Sequence, residues 1–100
     1  MKNIYARQGD LVIDRISDAP VALEVTKAPT TIAGSHEGAH TLPVGIEYGR
    51  EGRMHYVRSA EPAELTHASR HRPVPLAAGQ LYAIYPQIER RGDGDQDVED

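Results

Sequence analysis

The apolar positions of this chain fall in short runs that alternate every second residue, and Gly or Pro cuts them at close intervals from Gly9 to Gly79. Such spacing leaves little room for helices of ordinary length and predicts short strands joined by turns. In Leu11-Val12-Ile13-Asp14-Arg15-Ile16 the preceding Gly9-Asp10 reads as a turn, and Val12 and Ile16 share a face with Asp14 between them. Leu23 and Val25 share another face. The cleanest half-buried alternation is Leu42, Val44, Ile46 and Tyr48, with Pro43 on the opposite face and favouring a sheet edge. Gly49-Arg50-Glu51-Gly52 predicts a hairpin tip, because the apolar pattern resumes at Met54, Tyr56 and Val57. The run from Gln80 to Tyr85 opens after Gly79, stops at Pro86 and is apolar on both faces. A strand of that kind either lies central in a sandwich or barrel or offers one face to another subunit. The one helical candidate is a short turn from Pro62 to Ser69, with Ser59 as its cap.

The expected fold is therefore all-β, a small antiparallel sandwich or barrel with at most that one helical turn, forming a single domain over residues 1–91. From 92 to 100 no apolar spacing could anchor the chain and like charges repel, so this segment reads as a disordered acidic tail.

Composition changes the picture at three points. The chain has five Tyr but neither Phe nor Trp, a thin aromatic supply for 100 residues, which favours help from oligomerisation or a bound metal. The absence of Cys excludes disulfides, thiolate metal sites and Cys nucleophiles, leaving His and carboxylates as the strong metal ligands. The net charge of −4 is mostly the tail, since Asp93, Asp95, Asp97, Glu99 and Asp100 are five of the fifteen acids and the remaining ten face eleven Lys and Arg. A nearly neutral body argues against nucleic acid and anionic membranes as partners. No apolar run approaches the ~20 residues that span a bilayer, and the N-terminus lacks a signal-peptide pattern, so a cytoplasmic location is expected.

The candidate chemistry is histidine chemistry. Four of the five His form two pairs of spacing four, His36 with His40 and His67 with His71, while His55 stands apart on a predicted strand as a member of its polar face. Imidazole binds divalent transition metals such as zinc, and tetrahedral zinc wants about four ligands at ~2.0–2.1 Å, so two pairs on facing loops could form a site, with Glu37 as a carboxylate. Paired loop histidines also occur without binding anything, and both readings stand. Ser35 beside His36 and Ser69 near His71 are adjacent in sequence, but no Gly-x-Ser-x-Gly elbow occurs. Asp93-Gly94-Asp95-Gln96-Asp97 imitates the opening of a calcium loop without its central Gly or closing Glu. No phosphate-cradling glycine pattern is present.

Taken together, Arg7-Gln8-Gly9-Asp10 before an apolar strand, Gly38-Ala39-His40-Thr41-Leu42, Leu65-Thr66-His67, His71-Arg72-Pro73 leading to Leu76 and Gly79, Tyr82, and Gln87-Ile88-Glu89 carry a resemblance. The chain resembles a family of small β-rich proteins from bacteria and their phages to which no activity is assigned. The resemblance spans about two-thirds of the chain and implies a β-rich fold and a role for His40, His67 and His71. Ala39 stands where that family has its first His of a His-x-His cluster, and His36 lies just upstream instead.

Three functions compete. The first is a non-enzymatic binding or assembly protein, a homo-oligomer or docked on a protein partner through the two-sided strand from Gln80 to Tyr85. The second is a small His-ligated metalloprotein, with or without hydrolase activity, with His36, His40, His67 and His71 around zinc or a similar ion. The third is a phage-encoded inhibitor or accessory protein. The lack of any catalytic motif leans away from an enzyme without deciding the matter.

Overall fold

A computed structural model describes residues 3–33, 39–67 and 72–87. These form ten strands: β1 (Asn3–Gln8), β2 (Leu11–Ile16), β3 (Glu24–Val25), β4 (Thr30–Ala33), β5 (Ala39–Leu42), β6 (Glu47–Glu51), β7 (Met54–Arg58), β8 (Ala63–His67), β9 (Val74–Leu76) and β10 (Leu81–Pro86). A six-stranded sheet runs in the order β1-β2-β10-β7-β6-β3, and a four-stranded sheet in the order β4-β5-β8-β9, with antiparallel pairing throughout. The fold is all-β, and the two sheets close over one core of Leu11, Ile13, Ile32, Leu42, Ile46, Val57, Leu65, Val74, Leu76, Tyr82 and Ile84. Among the described residues no helix is long and apolar enough to cross a membrane. The acidic tail, His36 and His71 lie outside the described residues.

Two tight hairpins organise the larger sheet. Gln8 pairs with Leu11 across Gly9-Asp10, and Glu51 pairs with Met54 across Gly52-Arg53. Gly9 at φ 61° and Gly52 at φ 62° occupy the first central position, where a II′-type turn demands positive φ. The second tip thus sits at Gly52-Arg53 and not over the whole of Gly49 to Gly52. Gly49 belongs to β6 for another reason: a Cβ there would meet the Ala22 carbonyl oxygen at 2.6 Å.

The alternation from Leu42 to Tyr48 is not one half-buried strand. Leu42 ends β5 in one sheet, Tyr48 lies on β6 in the other, and the chain turns a corner at Pro43-Val44-Gly45. Gly45 takes φ 89°, its N–H reaches the Thr26 carbonyl at 3.1 Å, and Val44 is left 54% exposed. Period-two patterning cannot distinguish a straight strand from a corner that sends Leu42 and Ile46 into the same core.

The helical turn expected from Pro62 is strand as far as it is described. Leu65 is fully buried between exposed Glu64 and Thr66, and β8 pairs with both β5 and β9. Ser59 closes a local turn instead of capping a helix: its Oγ donates to the Glu61 carbonyl and accepts from the Glu61 N–H.

The two-sided run is the central strand of its sheet. β10 lies between β2 and β7 with Leu81, Tyr82, Ala83 and Ile84 all buried within the chain. Tyr82 is the largest fully buried side chain, and its hydroxyl accepts the Ala77 N–H at 2.9 Å. At the sheet edges, Tyr5 packs on Tyr82 with ring centroids 5.3 Å apart and donates to the Pro75 carbonyl, joining β1 to β9.

Candidate functional site

Strand pairing brings one histidine of each sequence pair together. His40 on β5 and His67 on β8 are direct cross-strand partners, twenty-seven positions apart in the chain, and their rings meet edge to face with centroids 4.7 Å apart. His40 is fully buried and His67 half-buried.

Behind His40 stands Gln8, the last residue of β1, itself 1% exposed. Its Nε2 donates to the Leu65 carbonyl at 2.9 Å and to the Arg72 carbonyl at 2.8 Å, and its Oε1 lies 2.8 Å from His40 Nδ1. One amide thus connects β1, β5, β8 and the residue that follows His71. In the same tetrad Arg7 donates to Gln87 Oε1, and the Asp10 carbonyl accepts the Gln87 N–H at 2.8 Å, fixing the chain beyond β10. Gln8 was visible in the sequence only as part of a strand-opening motif. A fully buried Gln at the end of a strand is a polar group that must find partners, but the pattern does not say which.

No protein family, curated protein or solved structure matches this chain. Among the described residues no group of three or more His, Cys, Asp or Glu could hold a metal ion. His40 and His67 are the part of the four-histidine set that can be placed.

Two further polar groups are buried away from this pair. His55 on β7 is 7% exposed, more deeply sunk than a polar strand face requires, and its Nδ1 lies 2.7 Å from the Tyr48 hydroxyl. Burial, then the Arg50 charge, holds its pKa below the ordinary 6.5. Asp14 is fully buried, and its Oδ2 accepts from the Tyr85 hydroxyl at 2.9 Å. Burial and the bond to Asp14 push the Tyr85 hydroxyl up to about 12. The alternation had set Asp14 on a shared face with Val12 and Ile16 without indicating a buried carboxylate.

An open groove of about 990 Å³ runs beside the corner, with Tyr5, Pro43, Val44, Pro62 and Pro75 along it and Glu61 and Glu64 as its charged members.

Proposed function

We propose that this chain is a small metal-binding protein that holds a divalent transition ion, zinc foremost, between His40 and His67, with His71 and His36 completing the ligand set. The register of β5 and β8 carries this reading, because it turns two distant histidines into direct neighbours. The spacing supports chelation: with metal–nitrogen bonds of about 2.0–2.1 Å, two imidazoles on one tetrahedral ion have centroids roughly 5 Å apart. The observed 4.7 Å is compatible with that, as it is with ordinary edge-to-face packing of two rings, so the uptake of metal decides between them. His71 immediately precedes Arg72, whose carbonyl Gln8 ties to the site, and His36 lies four residues before His40.

The binding and assembly alternative loses the surface it was built on, since β10 is covered on both sides by its own chain. Such a role would have to use another surface, such as the groove beside the exposed Val44.

Elemental analysis of tag-free protein, followed by zinc titration calorimetry, tests the metal reading. The expected result is one ion per chain, lost in His40→Ala, His67→Ala and His71→Ala and kept in His55→Ala. Occupancy falls on acidification, because a protonated imidazole cannot ligate. Absence of stoichiometric uptake by the wild-type chain would sink the proposal. Light scattering on the same samples addresses assembly, with a monomer at high concentration counting against it.

A further inference from the structure

The Arg7-Gln8-Gly9-Asp10 tetrad contains a residue whose burial the strand pattern alone does not explain. Gln8 can take only one amide orientation. Its nitrogen end faces two carbonyl oxygens, those of Leu65 and Arg72, and an amide turned the other way would set Oε1 against both. With Nε2 fixed as the donor end, Oε1 is necessarily the atom facing His40, and it can only accept. The proton on the neutral ring of His40 therefore belongs on Nδ1, which leaves the lone pair on Nε2.

From this geometry we propose that Gln8 is the positioning residue of His40: it locks the ring as the Nδ1–H tautomer, presents Nε2 as the ligating nitrogen, and with the same amide fixes the chain just after His71. The ligating half of this statement rests on the metal reading above; the tautomer does not. The arrangement follows the general design of histidine metal sites, in which the non-ligating ring nitrogen donates to a carbonyl or carboxylate that sets both tautomer and ring orientation. Here a side-chain amide fills that place, and its two remaining donors are spent on holding β8 and the start of the β9 segment. A structural glutamine alone would need only to be satisfied; this one has each end committed, by partners on two strands and on the segment leading into β9.

The test is a two-bond ¹⁵N–¹H correlation spectrum of the metal-free protein, recorded above the imidazole titration range. Wild-type His40 is expected to show a protonated Nδ1 and an unprotonated Nε2, the reverse of the form that neutral imidazole prefers in water. Gln8→Leu removes the acceptor and should shift His40 toward the Nε2–H form while weakening zinc about 10- to 100-fold. Gln8→Glu keeps an acceptor for Nδ1–H, so it should restore the wild-type ring signature and recover part of the zinc affinity. Its second oxygen faces the Leu65 and Arg72 carbonyls, to which an ionised carboxylate cannot donate, and this separates tautomer control from tethering. The wild-type spectrum gives an answer even if neither variant folds. A wild-type His40 protonated on Nε2, or a Gln8→Glu ring without the Nδ1 proton, overturns the proposal. If wild-type His40 has the expected tautomer and takes up no zinc, the metal reading falls and the positioning role of Gln8 stands.

Discussion

Gly49→Ala sets two effects of opposite sign against each other. Gly49 is a β6 residue outside the set of positive-φ glycines, so an alanine is compatible with its backbone. Removing a strand-interior glycine should by itself stabilise the domain by roughly 0.5–1 kcal/mol. The new methyl, however, would lie 2.6 Å from the Ala22 carbonyl oxygen, 2.9 Å from Leu23 Cδ2 and 3.0 Å from Val21 Cγ2. The closest of these is backbone, which no rotamer change can move, so the segment leading into β3 must lift away from β6. Overpacking of this kind costs about 1–3 kcal/mol, and the net loss is near ~1 kcal/mol. For a domain of this size that lowers Tm by about 4–8 °C. Thermal unfolding followed by circular dichroism, with urea midpoints at unchanged m, measures it. A Tm equal to or above wild type refutes the close approach. Adding Val21→Ala should not rescue the variant, because the carbonyl contact remains; full rescue would show that Val21 and not the backbone sets the clearance.

Tyr82→Phe should cost about 1–2 kcal/mol and speed hydrogen exchange at the Ala77 amide, which loses its acceptor; an unchanged exchange rate would mean that the bond does not form. His55 is held below its ordinary 6.5, so the unfolded chain takes up a proton first as pH falls. Its contribution to stability is complete above that value and is lost on acidification toward the folded pKa, a loss that His55→Gln should remove from the pH–stability curve. Tyr85 ionises near 12 in the fold against an ordinary 10.0, so stability linked to it is intact below the lower value and is lost as pH rises through the upper. Burial also raises Tyr48 and Tyr56, so alkaline absorbance titration should find several late-ionising tyrosines, of which Asp14→Asn moves the Tyr85 step earlier but not fully back, since burial is the larger cause there.

How much of this was legible in the sequence depends on which physical signal each feature leaves. β10 was readable as a strand because Leu81, Tyr82, Ala83 and Ile84 leave no polar face; that pattern left a central place or a subunit contact open, and pairing with β2 and β7 is what makes it central. The β6–β7 hairpin was readable from its glycines, yet its tip was displaced because Gly49 and Gly52 serve different ends, one clearance and the other positive φ. The corner at Pro43 to Gly45 hid inside a perfect alternation, since both sheets point apolar residues at one core. His40 and His67 were singled out by residue type; their meeting is a matter of register between β5 and β8, which no local pattern encodes. Gln8 and Asp14 were passed over because burial of a polar side chain is decided by partners that lie 32 or more positions away.

The place of β10 also fixes an order of events during synthesis. The β1–β2 and β6–β7 hairpins are local and can close within about 1–10 μs of leaving the ribosome. The larger sheet joins β2 to β7 only through Leu81–Pro86, the last described strand to be made. Until it arrives, β2 and β7 each carry a bare backbone edge beside Leu11, Ile13 and Val57, a template for pairing with another nascent chain. A translation product stalled before Leu81 is thus two adhesive hairpins awaiting a shared partner, and the step that completes the sheet belongs to the slow, non-local class that takes milliseconds to seconds.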